Sequence, residues 1–268
     1  MKWFFTDFDG TLRNSRSAKV EITDQDLEFV KTLQKDGHKL IVATGRPYSS
    51  ISKHVQTVYD LYPDFYICNA GATINSQNGE VLYTHEFEKQ QQDLITKQLI
   101  ELENEITSVI YATANNENML FHKQWDSEKA KLFIDMQPQD QEIDTLFDKT
   151  LICFKILCDK KTWSKITQWL SKQSFEVNLT SNNVEGLTFN EIHPQGINKG
   201  NAIRVLQKQF DFKDEDVIVA GDDNNDISMF NEFYDNSYIV EQEYNAEIRQ
   251  LAKTVIQQIT EIEINRNE

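Results

Sequence analysis

The sequence predicts an α/β fold: a doubly wound parallel sheet into which a second, α+β module is inserted. Three observations predict it. Strand-like apolar runs alternate with amphipathic helical segments at the start of the chain, that alternation stops near residue 87, and it returns at residue 199. Because strands joined by crossover helices pair in parallel, both alternating segments are expected to build one sheet. The predicted domains are residues 1–84 with 190–268 for the sheet and 85–189 for the insertion.

The first alternating segment reads as three strands separated by two helices. Asp24 is the predicted N-cap of the first helix. In the second helix Tyr48, Ile51, Val55 and Val58 recur at helical spacing and are predicted to face inwards. The predicted elements are a strand at 3–7, a helix at 24–36, a strand at 39–43, a helix from Pro47, a strand at 65–68 and a hairpin at 73–83 that turns at Asn78-Gly79.

The inserted region has a different order, because its strands follow one another without crossover helices. Its predicted elements are a helix from about 87, strands at 107–113 and 118–123, a helical stretch, a strand at 150–158, a helix at 161–172 and a hairpin of 175–181 with 187–192. The first pattern then resumes. Its elements are a helix at 200–210, a strand at 217–220, a helix from Ile227, a strand at 237–240, a helix near 245–258 and a charged, frayed tail at 261–268.

Composition excludes several classes of function. The net charge of −16 argues against a nucleic-acid partner, which needs a basic face. No apolar run is long enough to span a membrane, and the apolar N-terminus is cut short by Asp7, unlike a signal peptide. The three scattered cysteines form no CxxC pair and indicate reduced thiols in a cytoplasmic protein. An anionic substrate would therefore need a local cation to overcome the global charge.

Polar residues follow three of the predicted parallel strands at their carboxyl ends. They are Asp7 with Asp9, the run Thr44-Gly45-Arg46, and the acidic stretch Asp222–Asp226. Ligands of doubly wound sheets bind at the carboxyl ends of the strands. These segments are far apart in sequence, and the fold is expected to bring them to one edge of the sheet.

The aspartates at this edge predict a site for a hard cation. Asp7 and Asp9 repel each other unless a cation lies between them, although Asp-Gly is also a good turn pair. Oxygen ligands without histidine or cysteine favour Mg²⁺ over zinc or copper. A calcium loop aligned on Asp222 would need glycine at 227 and glutamate at 233, where the chain has Ile227 and Phe233.

Lys199 adds a cation at the start of a predicted helix. A lysine together with free backbone N–H groups at a helix start predicts an anion site, and Thr44 and Arg46 flank another helix start. A phosphoryl group held there would lie in line with an aspartate, whose attack gives an aspartyl-phosphate. A second carboxyl can protonate the leaving oxygen and then activate water, so Asp7 and Asp9 can divide these roles.

With these motifs, the chain resembles the haloacid dehalogenase superfamily of phosphohydrolases, in particular its Cof-type branch. The resemblance covers nearly the whole chain. It rests on Asp7-Phe8-Asp9-Gly10-Thr11, on Thr44 in ATGR, on Lys199 in EIHPQGINKG, and on Asp222 and Asp226 in GDDNND, in that order. Two details depart from the common form of the family. Members often read Asn-Gly-Ala after the third strand where this chain has Asn69-Ala70-Gly71, and Asp223 adds a charge where a small or neutral residue is frequent.

The resemblance implies a role for each matching residue. Asp7 is expected to be the nucleophile and Asp9 the general acid and base. Mg²⁺ is expected at the Asp7 carboxylate, the Asp9 backbone carbonyl and Asp222, with Asp226 close by. The residues expected to bind the phosphoryl group or substrate are Thr44, Gly45, Arg46, Lys199 and Asn225, with Arg46 equally able to pair with an acid. The family also implies a mobile α/β cap that sets substrate specificity, and Asp223 is not assigned to the metal.

The predicted function is that of a cytoplasmic, Mg²⁺-dependent phosphatase. Its substrate is expected to be a small phosphate ester, with sugar phosphates as the leading class by analogy with the family. Two alternatives remain open at this point. One is a phosphomutase on the same core, and the other is a non-catalytic protein that binds phosphorylated metabolites.

Overall fold

A computed structural model describes residues 1–14, 21–114, 117–120, 138–139, 142–184 and 187–264. The chain divides into two compact units. The core unit comprises Met1–Tyr83 and Asn198–Glu268, and the inserted unit comprises Thr84–Ile197. The second division lies later than the predicted boundary at 189/190. The reason is that a strand running on to Pro194 pairs with other strands of the inserted unit.

The strands and helices are named here in chain order. The strands are β1 Trp3–Thr6, β2 Lys39–Ala43, β3 Phe65–Cys68, β4 Thr73–Ser76, β5 Val81–Thr84, β6 Ile106–Ala112, β7 Glu117–Leu120, β8 Pro138–Gln139, β9 Cys153–Cys158, β10 Val177–Val184, β11 Leu187–Pro194, β12 Val217–Gly221, β13 Ser237–Val240 and β14 Thr254–Ile256. The α-helices are α1 Asp24–Lys35, α2 Tyr48–Tyr59, α3 Lys89–Glu101, α4 Lys160–Leu170, α5 Lys199–Phe210 and α6 Ile227–Glu232.

The core sheet confirms the predicted doubly wound architecture. Its strand order is β14-β13-β12-β1-β2-β3-β4-β5. The strands from β14 to β3 pair in parallel, and β4 pairs with β3 in the antiparallel sense. The order along the chain reverses between β1 and β12, and such a reversal opens a crevice at the carboxyl ends of the two strands.

Helices cover both faces of the core sheet, because successive residues of its central strands point to opposite sides. On β1, Phe4 packs in the same cluster as Val30 of α1 and Val55 of α2. Its neighbour Phe5 packs in the other cluster, with Ile203 of α5 and Met229 and Phe230 of α6. Burial on both faces explains why these strands read as continuous apolar runs.

Two details of the first helices differ from the sequence predictions. The N-cap of α1 is Thr23, whose hydroxyl accepts the backbone N–H of Asp26 at 3.1 Å, rather than Asp24. In α2 the buried residues include Ile51, Val55 and Tyr59, whereas Val58 is 50% exposed. The buried stripe is centred beyond Val55, and this leaves Val58 at its edge.

The C-terminal segment is where the sequence prediction was wrong. Residues 245–258 were predicted to form a helix, but the structure places β14 there, as an edge strand parallel to β13. The run Thr254-Val255-Ile256 is β-branched throughout, which favours a strand. The predicted frayed tail is also wrong at its start, because Ile262 is buried and Ile264 packs against the core. Residues 265–268 lie outside the described part of the chain.

The inserted unit has a second sheet, in the order β10-β11-β9-β6-β7-β8. Its pairs are antiparallel except for β7 with β8. Leu99 of α3 and Ile166 of α4 share a cluster with Phe154 and Ile192, so one face of this sheet packs against both helices. Beyond Leu120, the predicted strand 118–123 and most of the helical stretch after it lie outside the described residues.

None of the helices in the described ranges combines the length and the apolar composition that crossing a membrane requires.

In the edge strand β14, one substitution is expected to lower the free energy of unfolding strongly and the substitution next to it only slightly. Ile256 is 3% exposed in the core and Val255 is 46% exposed. We expect Ile256→Ala to lower the free energy of unfolding by about 2–4 kcal/mol because it leaves a cavity. The matched control Val255→Ala is expected to change it by only about 0.5 kcal/mol. Urea unfolding measures both, and equal losses would contradict the strand.

Candidate active site

The candidate site lies where the core sheet reverses, at the carboxyl ends of β1 and β12. The backbone N–H of Asp7 donates to the carbonyl of Ala220 at 2.9 Å, which fixes the end of β1 against β12. On the next segment, the Thr11 hydroxyl donates to Asp222 Oδ1 at 2.7 Å. Two of the predicted clusters therefore meet directly, although they are separated by more than two hundred residues.

Lys199 joins this arrangement from the first turn of α5. Its ammonium group is fully buried and donates to Asp7 Oδ1 and to Asp226 Oδ1, each at 2.6 Å. Burial lowers the pKa of Lys199, but the carboxylates of Asp226 and Asp7 more than compensate and raise it above its usual range. The lysine is therefore charged and holds two of the predicted site residues together.

The remaining oxygens of the acidic stretch are held by its own backbone and by nearby side chains. Asp226 Oδ2 accepts the backbone N–H groups of Asp222 and Asp223, at 2.9 and 3.1 Å. Asp222 Oδ2 accepts the phenol of Tyr244, and its backbone carbonyl accepts the amide of Asn245 at 2.8 Å. These contacts set the direction of both carboxylates toward Asp7.

The site carries more negative than positive charge. One carboxylate oxygen from each of Asp7, Asp222 and Asp226 lies within 4.8 Å of the others, and all three residues are buried. Burial raises the pKa of Asp7 well above its usual range; the charge of Lys199 lowers it, and those of Asp226 and Asp222 raise it further. Three buried carboxylates against one ammonium group form an arrangement that a further cation would stabilise.

Asp9 faces a different set of partners from Asp7. Its carboxylate accepts hydrogen bonds from Arg46 Nε at 2.6 Å and Nη2 at 2.8 Å, and it also pairs with Arg13. Both guanidinium groups lie over the Phe8 ring, with their central carbons 5.4 and 5.5 Å from its centroid. Burial raises the pKa of Asp9, but the charges of Arg46 and Arg13 outweigh it and lower the pKa overall.

The second cluster meets the site through Arg46, whereas Thr44 lies buried at the end of β2. The Thr44 hydroxyl accepts the backbone N–H of Arg46 at 3.1 Å. Its own proton has no acceptor in the described part of the chain, which leaves it able to donate to a ligand. Gly45 is half-buried between them.

The loop after β3 departs from the family pattern and takes left-handed backbone throughout. Asn69, Ala70 and Gly71 have φ values of 49°, 56° and 109°. A Cβ on Gly71 would lie 2.4 Å from the carbonyl oxygen of Asn198, which precedes α5. The backbone N–H of Ala70 donates to the Thr44 carbonyl at 3.1 Å, so this loop connects two strand ends of the site.

Two backbone N–H groups at the start of α5, where the sequence predicts an anion site, already have acceptors. The N–H of Gly200 donates to the Ser228 hydroxyl at 3.1 Å, and that of Asn201 donates to the Asn198 side chain at 2.8 Å. These groups are already used within the fold. The cation of this segment is the Lys199 ammonium group alone.

Asn225 lies in the turn Asn224–Asp226, next to the acidic residues. Its Oδ1 atom is buried and has no hydrogen-bond partner among the described residues. Asp223 caps this turn, because its side chain accepts the backbone N–H of Asn224 at 2.7 Å. This capping role accounts for an aspartate at position 223 without a metal ion.

A family model for haloacid dehalogenase-like hydrolases matches residues 4–263. The chain belongs to this family. A protein of Mycoplasma capricolum subsp. capricolum with no assigned function is 42% identical over 97% of this chain and 98% of its own. A Mycoplasma pneumoniae protein provisionally described as a phosphatase is 27% identical over 86% of this chain and 82% of its own. The solved structure of a sugar phosphatase of HAD subclass IIB has a TM-score of 0.79, with 19% identity and 97% of each chain covered.

Three residues that contact the site of this haloacid dehalogenase-like hydrolase were not found by sequence reasoning: Arg13, Tyr244 and Asn245. Arg13 lies just beyond the first motif, and a cation so close in sequence to two aspartates was a signal that could have been used. Tyr244 and Asn245 follow β13 at the same edge of the sheet as Asp222. Asn245 was assigned to the start of the predicted helix near 245–258, and this concealed its position after a strand end.

Gly10 of the first motif has a specific physical role in this hydrolase. Its φ is +102°, and a Cβ there would lie 2.3 Å from Asp222 Oδ2. Gly37 also has a left-handed φ, of +84°, but a Cβ on it would meet nothing within 4 Å. Substitutions at these two glycines therefore distinguish the cost of backbone strain from the cost of a collision with the Asp222 carboxylate.

We expect Gly37→Ala to lower the free energy of unfolding by about 1–2 kcal/mol, the cost of left-handed backbone for alanine. Gly10→Ala is expected to cost about 1–3 kcal/mol more, because the methyl group must displace the Asp222 carboxylate. Urea unfolding of the metal-free protein measures both. Equal losses would show that the Asp222 carboxylate is not packed against Gly10.

Proposed function

We propose that this hydrolase is a Mg²⁺-dependent phosphatase that cleaves small phosphorylated metabolites through an aspartyl-phosphate on Asp7. One observation carries the proposal. The Asp7 carboxylate is buried at the central strand end, with Oδ1 fixed by Lys199, while its other oxygen accepts no hydrogen bond from the described residues. A fixed carboxylate with one available oxygen is arranged for attack on phosphorus.

Cationic and hydroxyl donors next to Asp7 supply the binding of the phosphoryl group. Lys199 is charged and lies 2.6 Å from the nucleophile, so it can contact a phosphoryl oxygen while it orients Asp7. Thr44 has a buried hydroxyl whose proton is available. In this proposal the Asn225 side chain binds the phosphoryl group from the turn beside the acidic residues. Gly45 has no side chain, so the backbone at this position can lie close to the phosphoryl group.

The donor set next to Asp7 fits Mg²⁺. The clustered ligand atoms of Asp7, Asp222 and Asp226 are all carboxylate oxygens, and the surplus negative charge of these residues fits a divalent cation. Asp7 and Asp222, with the backbone carbonyl of Asp9, would hold the ion, and Asp226 would orient Lys199 and the turn. When bound, the ion supplies charge neutralisation between the nucleophile and the phosphoryl oxygens.

Asp9 would serve as general acid and base only after its arginine contacts change. A general acid needs a proton, whereas the guanidinium groups of Arg46 and Arg13 keep the pKa of Asp9 low. Arg46 is partly exposed and Arg13 is buried. In the proposal, Arg46 leaves Asp9 to bind the anionic substrate, the pKa of Asp9 rises, and the carboxyl protonates the leaving oxygen and then accepts a proton from water.

The names of relatives support the substrate class. The Mycoplasma pneumoniae relative is provisionally described as a phosphatase, and the solved structure of similar fold is that of a sugar phosphatase. Sugar phosphates are therefore the leading substrates in this proposal, and the protein is proposed to act in the cytoplasm. The inserted unit is proposed to be the cap that sets specificity.

The test is hydrolysis of p-nitrophenyl phosphate and of a panel of sugar phosphates, with Mg²⁺ and with EDTA. We expect Asp7→Asn to lower the rate by about 10³-fold or more, since the nucleophile is lost. Its free energy of unfolding without metal should be kept or raised, because the pKa of Asp7 shows that the fold disfavours its charge.

Asp60→Asn is the matched control, because Asp60 is an exposed residue with a left-handed φ of 48° that asparagine also adopts. It should keep wild-type activity. Ligand binding without turnover of any phosphate ester would instead indicate a non-catalytic binding protein. Transfer of labelled phosphate between positions of a sugar would indicate a mutase.

Asp9→Asn is expected to slow turnover by about 10²–10⁴-fold and to leave phosphorylated enzyme, because asparagine cannot activate the hydrolytic water. Intact-protein mass spectrometry after quenching detects the added phosphoryl group. Arg13→Gln is the control, since it removes a partner of Asp9 but keeps the carboxyl, and it should not accumulate the intermediate. Wild-type turnover in Asp9→Asn would remove this residue from the mechanism.

A further inference from the structure

A second group of metal-ligating side chains lies in the inserted unit, within one sheet. Cys153 on β9 and Glu191 and His193 on β11 place one ligand atom each within 4.8 Å of the others. The two strands are neighbours, with Ile192 paired to Phe154. Those paired residues face the helices, so the three ligand residues, which alternate with them, point to the opposite face of the sheet.

The three side chains are buried and their ligand atoms converge on one point. His193 Nε2 lies 2.8 Å from Glu191 Oε2 and 3.7 Å from Cys153 Sγ. The relative exposure is 0% for Cys153 and His193 and 2% for Glu191. Two buried groups of different chemical type, a thiol and a carboxylate, therefore face the same ring nitrogen.

A thiol–imidazole–carboxylate catalytic relay does not explain this geometry. In such a relay one ring nitrogen faces the nucleophile and the other faces the carboxylate. Here both Cys153 and Glu191 face the same nitrogen, Nε2, while Nδ1 of His193 is buried and has no hydrogen-bond partner among the described residues. Since no donor fixes Nδ1 as an acceptor, the ring proton can move there when Nε2 binds an ion.

We propose that Cys153, Glu191 and His193 bind a Zn²⁺-class divalent ion inside the inserted unit. Tetrahedral zinc with sulfur, nitrogen and oxygen ligands separates the ligand atoms by about 3.3–3.6 Å. The observed separations of 2.8 and 3.7 Å lie on either side of that range, so a shift of about half an ångström seats the ion. The fourth position would be taken by water.

The ligand atoms of this site determine which class of metal ion it favours. Thiolate and imidazole ligands favour zinc and similar ions, whereas Mg²⁺ prefers oxygen ligands alone. This separates the site from the aspartates of the core unit, whose clustered ligand atoms are all oxygens. The proposal does not depend on the phosphatase function.

Lys155 and Thr180 adjust the charge and direction of the Glu191 ligand. Lys155 Nζ lies 3.9 Å from Glu191 Oε1, on the oxygen that does not face His193. The Thr180 hydroxyl donates to Oε2 at 3.0 Å and orients the carboxylate. The thiolate and the carboxylate together balance the two charges of a divalent ion, and Lys155 stays on the Glu191 oxygen that does not face His193.

Cobalt(II) bound to the full-length protein tests the proposal, because a thiolate ligand gives a sulfur-to-cobalt charge-transfer band that oxygen ligands do not. We expect one such band that saturates at one Co²⁺ per chain and is lost on addition of Zn²⁺. Cys153→Ser and His193→Gln should abolish it. Cys158→Ser, on the same strand, should keep it, and so should Asp7→Asn, which alters only the core-unit site.

The absence of the band in wild-type protein with excess Co²⁺ would overturn the proposal. So would its persistence in Cys153→Ser that retains the wild-type circular dichroism spectrum. If that variant does not fold, alkylation of the wild-type thiols in mild urea, mapped by mass spectrometry, decides. Zn²⁺ should slow the modification of Cys153 at least several-fold relative to Cys158, and equal rates with and without Zn²⁺ would contradict the site.

Discussion

The buried ammonium group of Lys199, held between Asp7 and Asp226, is the interaction on which the arrangement of the active site depends. It joins the end of β1, the start of α5 and the turn after β12, so segments 192 residues apart in sequence meet at 2.6 Å. Without this charge, three neighbouring buried carboxylates would repel one another and take up protons. With the Lys199 ammonium group between them, the carboxylates stay close together but keep a surplus of negative charge. This surplus favours the binding of a divalent cation. The catalytic proposal and the stability of this strand end therefore have the same electrostatic origin.

The topology of the sheet explains why three cationic side chains lie close together at the site. The protein carries a net charge of −16, yet Lys199, Arg46 and Arg13 gather at the point where the strand order reverses. In the proposed function, an anionic substrate at this edge meets these positive groups despite the negative charge of the whole protein. Arg46 and Arg13 also keep Asp9 charged and occupied, so binding of an anion and release of the general acid are coupled in the proposed mechanism. Both guanidinium groups lie over the Phe8 ring, so the apolar residue between the two aspartates helps to hold them beside Asp9.

The two units use the same principle with different ligand atoms. In the core unit the buried negative charge comes from carboxylates at strand ends, where loops are free to bring further oxygens. In the inserted unit the ligand atoms are a thiol sulfur, an imidazole nitrogen and a carboxylate oxygen within neighbouring strands, where the pairing of β9 with β11 fixes their spacing. The donor set of the first fits a hard ion and that of the second a softer one. An ion in the second site would connect two strands of the sheet, and its binding would add to the stability of that unit.

The sequence by itself determined the doubly wound core, the position of the insertion and the residues at the strand ends, because these follow from local hydrophobic periodicity and from the rule that ligands lie at carboxyl ends. It could not determine that residues 254–256 form an edge strand, since a short apolar segment at the end of a chain suits a helix or a strand until its partner β13 is in place. Nor could it determine that Asp9 is paired with Arg13 and Arg46, that Gly10 is required by the Asp222 carboxylate, or that Cys153 meets His193. Those contacts join residues from distant segments or depend on side-chain direction, and only the packed tertiary structure decides which atoms approach within a few ångströms.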